Sequence, residues 1–323
     1  MTDRILSHAR LAAEVVLALA LLAPLAIALA GLSGIGHRWI DILAQFTGPA
    51  LVAAATGLVA AALLRSRTLV TTAVVVCALV LAAGSSQWAP PRGDPEAGSP
   101  DFTLDSANLQ ARNTDVDAIA TSIAAADADV VVLVELGDGP AAEIDRVLAG
   151  YPYRAVNGRI DRPGGAARSV IASRRPLHDI RLRIPALFVV GARVETDLGP
   201  VTVAGVHMTR PWPYQIQWEQ IRQAEGLSDW ARSLDGPVIA AGDFNSVSSA
   251  RIGRIIKGDG ALIPAPGWPG TWPTKLPDAA GMTIDQVYRS PDLALVERRL
   301  GLPTGSDHRP VITRFTRAAS PGE

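Results

Sequence analysis

Gly236–Asn245 reads GPVIAAGDFN, an apolar run that stops abruptly at Asp243, Phe244 and Asn245. A strand buried on both faces has this composition, and the polar end marks where it reaches solvent. Other runs behave alike. Asp129–Leu136 (DVVVLVEL) delivers Glu135, Pro200–His207 (PVTVAGVH) delivers His207, and Ser306–Pro310 (SDHRP) sets Asp307 and His308 beside the apolar stretch Pro310–Phe315. Ser169–Ser173 and Met282–Tyr288 read as further strands. Residues 114–126 (TDVDAIATSIAAA) open on a Thr that can cap a helix and put Val116, Ile119 and Ile123 on one face. A second helical stretch runs from about Tyr214 to Ser233. Alternating strands and helices predict an α/β (α+β) domain over residues 101–318, with 319–323 as a tail.

Core interiors reject unpaired carboxylates and imidazoles, so a sheet edge that gathers them reads as a site. One Glu at a strand end is ordinarily solvated, and one His ordinarily packs or caps. Four complementary strand ends point to chemistry. Two Asp, a His and an Asn in GDFN and SDHRP suit metal-assisted attack on a phosphate ester. Hard oxygens hold the cation and an imidazole activates water.

These motifs resemble the endonuclease/exonuclease/phosphatase superfamily, the group of deoxyribonuclease I, abasic-site endonucleases, inositol phosphatases and neutral sphingomyelinases. The likeness rests on Asn108 in SANLQARN, Glu135 in VVVLVEL, His207 in GVHMTRP, Asp243 and Asn245 in AGDFN, Asp285 in TIDQVY, and Asp307-His308 in GSDHRPV. They span roughly Phe102 to Phe315. The resemblance implies a four-layer sandwich of two packed β-sheets flanked by helices. It implies that Glu135 and Asn108 bind magnesium (manganese or calcium being alternatives), with Asp307 near the metal. By the same likeness His308 is the general base and Asp285 orients it. Asp243 holds the attacking water or a metal, Asn245 donates to a phosphate oxygen, and His207 is a phosphate ligand or leaving-group acid. Gln286 stands where a His is frequent in the family. Met208–Pro213 is an individual loop expected to shape access to the site. Asn113 reads as a site residue or a helix N-terminal one, and Arg168 as a phosphate contact or a surface Arg. The PGWPGTWPT loop with Trp268 and Trp272 reads as a rim for a base or lipid, or as packing over the sheet.

The amino-terminal quarter differs in kind. Leu11–Gly31, Gly48–Leu64 and Leu69–Gly84 are apolar, and a spanning helix needs about 20 such residues. Residues 1–84 therefore read as a three-helix membrane anchor. A cleaved signal peptide would lead directly into a soluble domain. Arg4, Arg10, Arg65 and Arg67 flank the runs so as to keep both of their ends cytoplasmic, against Arg38 alone. Three crossings then leave the domain outside a bacterial cell membrane. Residues 85–100 are Pro/Gly/Ser-rich and read as a linker. In it Trp88 is an interfacial anchor or an ordinary exposed aromatic. The lone Cys77 permits no intrachain disulfide.

Residues 100–323 carry 24 basic against 26 acidic side chains. Duplex binding favours a basic surface, so the balance counts against genomic DNA. The sequence thus predicts a membrane-anchored, divalent-metal-dependent phosphoesterase, with nucleic acid or a phospholipid head group as substrate. The bilayer contacts residues 11–84, and no protein partner is indicated. The alternative is a catalytically idle, membrane-tethered binding domain, against which the complete residue set argues.

Overall fold

The computed structural model describes residues 2–157, 164–213 and 217–319. Twelve strands form two six-stranded sheets. In chain order they are β1 (Asp101–Asn108), β2 (Val130–Val134), β3 (Tyr153–Val156), β4 (Val170–Ser173), β5 (Leu177–Ile180) and β6 (Phe188–Thr196). Then come β7 (Gly199–His207), β8 (Val238–Asp243), β9 (Ile263–Pro264), β10 (Asp285–Arg289), β11 (Leu293–Leu300) and β12 (Val311–Arg317). The first sheet runs β11-β12-β1-β2-β4-β3 and the second β5-β6-β7-β8-β10-β9. Inward side chains of both meet in one core, in which Leu104, Val132, Ile171, Val203, Ile239 and Phe315 are buried. The outer face of the first sheet is covered by α5 (Val116–Ala126), α6 (Asp138–Ala142) and α7 (Ile144–Val147). The outer face of the second is covered by α8 (Gln217–Arg232) and α9 (Arg251–Gly258). This is the expected four-layer sandwich.

Local chemistry explains the boundaries. Asp115, not Thr114, caps α5, accepting from the Ala118 amide at 2.9 Å; a carboxylate at the helix start also suits its dipole. Tyr214 lies outside the described residues, and the helix expected from it runs Gln217–Arg232. Met282 lies in a bridge to Trp272, and the strand expected there starts at Asp285. Asp307 and His308 precede β12 in a bend instead of ending a strand. The sequence patterns singled out no strand at β1, β3, β5, β6, β9 or β11. Of these, β3, β5, β9 and β11 are edges, and the exposed faces of β5 and β11 carry polar groups such as His178, Glu297 and Arg299, which dilutes the apolar signal.

Four helices precede the sandwich: α1 (Thr2–Ser33), α2 (Arg38–Ala44), α3 (Thr47–Leu63) and α4 (Arg67–Trp88). Two are long and apolar enough to cross a membrane, over His8–Ser33 and Arg67–Trp88. A third span counts only if α2 and α3, bent by 59° at their junction, are one. Ala28, Ala50, Ala54, Val76 and Val80 make a small-residue interface between α1, α3 and α4, the packing that close-set membrane helices favour. Its tightest point is Gly57, where a Cβ would come within 2.8 Å of Leu21.

The helix α4 continues four residues into the stretch read as a linker, and the rest of that stretch is held to the sandwich. The Leu295 amide donates to Arg92 O at 2.7 Å, Glu96 N to Arg317 O at 2.9 Å, and the buried Arg289 guanidinium to Pro91 O at 2.8 Å. The first of these bonds covers the edge strand β11, and the other two reach the ends of β12 and β10.

Candidate active site

Strand register assembles the site. Asp243 at the end of β8 is paired with His207 at the end of parallel β7 and with Asp285 at the start of antiparallel β10. Asn108 ends β1, and Glu135 lies one residue past β2, the neighbouring parallel strand. The chain preceding Asp243 must be glycine. Gly242 has φ +136°, and a Cβ there would sit 2.1 Å from Val206 O. Glu135 and Asn245 both take left-handed backbone, at φ 52° and 48°. Such strain in non-glycine residues concentrates at functional sites. Beneath the loop, Phe244 is fully buried against Tyr288, ring centroids 4.9 Å apart, so its aromatic packing anchors both polar neighbours.

The polar groups interlock. The Asn108 amide donates to Glu135 Oε1 at 3.1 Å and to Asp243 Oδ2 at 2.9 Å, and its oxygen accepts from the Gln110 amide at 2.8 Å. Glu135 Oε2 accepts from Ala111 N at 3.1 Å. His207 brings Nε2 within 3.3 Å of Glu135 and is oriented by Ala166 O, 3.1 Å from Nδ1. Asn245 donates its own backbone N–H to Asp243 Oδ1 at 2.7 Å and its side-chain amide to Met208 O at 2.8 Å. His308 Nδ1 lies 2.9 and 3.0 Å from the Asp285 oxygens, and its Nε2 lies 3.9 Å from Asp307. Asp307 is steadied by the Trp272 indole N–H at 3.1 Å.

Two overlapping donor groups result, Glu135–His207–Asp243 and Asp243–Asp285–His308, each with ligand atoms within 4.8 Å of one another. The electrostatics are strained in opposite senses. Burial pushes the Asp243 carboxyl up to about 6, with His308 and His207 opposing and Asp285 adding to the rise. Burial acts to lower His308, but the carboxylates of Asp285, Asp243 and Asp307 outweigh it and push the imidazole up to about 10. Buried carboxylates crowded together are a favourable setting for a divalent cation, and the hard oxygens of Glu135 and Asp243 fit one.

A cavity of about 320 Å³ opens over these groups, lined by Glu135, Asp243, Asn245, Asp307 and His308. Arg210, Pro211 and Trp212 of the loop after His207 line it, as does Trp272 of the PGWPGTWPT loop, whereas Trp268 is exposed outside it. Gln286 supports from behind, donating to Ser246 O at 3.2 Å. Two other sequence candidates serve the scaffold. Asn113 donates to Thr304 O at 2.8 Å and accepts from Asp115 N at the start of α5. Arg168 is buried, not on the surface, and holds Leu136 O and Asp138, both at 2.9 Å. Sequence patterns did not indicate Gln110, Gln45 or Phe46, which also line the cavity. The last two come from the turn between α2 and α3, and no local signal links them to site residues that begin only at Asn108.

Solved structures share this fold at low identity. An endonuclease/exonuclease/phosphatase from Beutenbergia cavernae superposes with TM-score 0.54 at 21% identity, covering 69% of this chain and 73% of that one. A humanized D. rerio TDP2 gives 0.53 at 16%, covering 67% and 98%. A Bacteroides thetaiotaomicron endonuclease/exonuclease/phosphatase family protein gives 0.52 at 15%, covering 69% and 97%. No curated protein matches the sequence. The family model described as "Endonuclease/Exonuclease/phosphatase family", whose superfamily members are phosphoester hydrolases, matches residues 104–308, from within β1 to His308. The chain belongs to the endonuclease/exonuclease/phosphatase family.

Proposed function

We propose that this protein is a membrane-anchored, divalent-metal-dependent phosphoesterase. Its substrate is a phosphate ester of nucleic acid or of a phospholipid head group, cleaved outside the cytoplasm by His308-activated water. The observation that carries the reading is the Asp285–His308 pair at 2.9 Å, beside Asp243 and across the cavity from Glu135.

Asp285 fixes the imidazole with Nδ1–H toward the carboxylate, leaving Nε2 to take a proton from water. The water oxygen forms a new P–O bond while the P–O bond to the alcohol breaks. The alcohol leaves with a proton, and the phosphate product keeps the added oxygen. Asn245 can turn its amide to a phosphoryl oxygen, and His207 is positioned to protonate the leaving oxygen. Arg210, exposed at the cavity wall, attracts the anionic substrate. Glu135 and Asp243, with Asn108 and Asp307 beside them, would hold magnesium, manganese or calcium. Such a cation would offset charge on the phosphate oxygens and relieve the carboxylate field that retains the His308 proton.

The anchoring is supported by the helical hairpin. Arg65 and Arg67 sit at the tight turn between α3 and α4, while at the opposite helix ends Gln87 is bonded to Thr47 and to Gly267 of the sandwich. Three crossings with the arginine turn inside leave the catalytic domain outside. The test is hydrolysis of an aryl phosphodiester by the full chain in detergent with magnesium. Loss of that activity in His308→Ala supports the reading, and turnover independent of His308 opposes it.

A further inference from the structure

The membrane segment does more than hold the enzyme at the bilayer. Between α1 and α3 the chain folds back as α2 and inserts its turn beside the catalytic loop. Gln45 is buried, accepts from the Val247 amide at 3.1 Å and donates to Ser246 Oγ at 3.4 Å. These partners immediately follow Asn245. Phe46 packs against the cluster of Val247, Ala250, Met282 and Ile284, as does Trp272. Both residues face the catalytic cavity.

The junction is polar, specific and buried, unlike a flexible tether. Asp41, 1% exposed, accepts from the Arg251 amide at 2.7 Å and from the Gln217 side chain, and lies 3.8 Å from Arg254. Gln87 of α4 binds Thr47 at 2.7 Å, accepts from Ser249 at 3.2 Å and gives its carbonyl to Gly267 N at 2.6 Å. Gly48 at the start of α3 approaches the Gly281 carbonyl so closely that a Cβ would lie at 2.6 Å. The loop that carries Trp272 is therefore fixed by the ends of α3 and α4. The cavity consequently lies at the end of the apolar bundle, with no linker length between them.

Large apolar side chains stand exposed at this end. Trp39 and Leu43 of α2 point to solvent, and so does Trp218 (63% exposed), whose ring carries Arg251, itself bonded to Gly36 O at 2.7 Å. Trp212 on the cavity wall is exposed too. Tryptophans over arginines at the end of membrane helices suit the headgroup layer. A nucleic-acid strand would need a continuous basic track, and the described cavity lining offers Arg210 and His308 alone as cationic side chains.

We propose that Gln45 and Phe46 form a substrate-selecting wall of the catalytic cavity, and that the cavity takes a lipid headgroup phosphodiester from the bilayer its own helices occupy. This rests on the phosphoesterase and anchoring readings above. The phosphate lies over Asp243 and His308, and the apolar stem of the lipid passes along Phe46 and Trp212.

The experiment uses the full chain in nanodiscs of phosphatidylcholine, phosphatidylethanolamine and phosphatidylglycerol with magnesium, and follows products by phosphorus NMR. Parallel arms use the deacylated glycerophosphodiesters, single-stranded DNA and an aryl phosphodiester. The expected result is cleavage of a bilayer lipid at least tenfold faster than of its deacylated counterpart or of DNA. Phe46→Ala should lower that lipid-to-deacylated ratio at least tenfold, and Phe46→Leu should restore part of it. Aryl turnover with no lipid preference overturns the inference while the phosphoesterase reading stands. Absence of aryl turnover in the wild type sinks that reading itself. A Phe46→Ala loss equal on all substrates makes Phe46 a packing residue and overturns the wall.

Discussion

Asp285 and His308, 23 positions apart in the chain, meet at 2.9 Å because β10 places Asp285 in register with Asp243 and the bend before β12 lowers His308 onto it. The contact joins the two sheets at their polar ends, since β10 belongs to one and β12 to the other. General-base catalysis by a positioned side chain contributes about 10²–10⁴-fold in rate. His308→Ala is expected to lose that much kcat on an aryl phosphodiester, and Asp285→Asn nearly as much through the wrong tautomer. A double variant no worse than either single one would show that the two act as a unit.

Glu135 is a partly buried carboxylate that lines the cavity and shares a donor group with His207 and Asp243. Glu135→Gln keeps the hydrogen bond to Asn108 and removes a charge. Titration calorimetry with manganese should show affinity reduced about tenfold or more, as ligand charge sets the binding strength of hard cations. Unchanged affinity would move the cation to the Asp285 side of Asp243.

Asp105 offers a pH test away from the site. It is fully buried in β1, neither carboxyl oxygen has a hydrogen-bond partner among the described residues, and burial pushes it up to about 7 against the attraction of Arg299. Its folded value exceeds its unfolded 3.8. Its contribution to stability is therefore complete below 3.8 and is lost as pH rises through about 7. Thermal melts between pH 4 and pH 8 should fall with rising pH in the wild type and be flatter in Asp105→Asn. Parallel curves would contradict the assignment.

Phe244 tests the platform under the site. Its ring is buried against Tyr288, so Phe244→Ala should cost about 3–5 kcal/mol in stability. The measurement is a denaturant melt of the full chain in detergent, read alongside kcat. A stable variant with normal turnover would show that the loop holds itself.

Much of this was legible in the sequence because buried strands that end in charge have few alternatives. GPVIAAGDFN, VVVLVEL and PVTVAGVH each named a site residue, and the register of β7, β8 and β10 then follows from their shared apolar faces. Composition could not reveal the fixed course of residues 89–100, because Pro and Gly mark irregular backbone whether it is pinned or free. Nor could it place Gln45 and Phe46. Their role depends on a packing contact across 200 residues of chain, and a Gln-Phe pair beside an apolar run carries no pattern of its own.

Metal-dependent hydrolysis of a phosphodiester by this constellation is tested most directly by turnover of an aryl phosphodiester by the detergent-solubilised full chain, with magnesium, with EDTA, and after magnesium is restored. The expected result is activity that EDTA abolishes and magnesium returns, and that His308→Ala lacks throughout. Absence of turnover with magnesium, manganese and calcium alike, or turnover undiminished by EDTA, would contradict it.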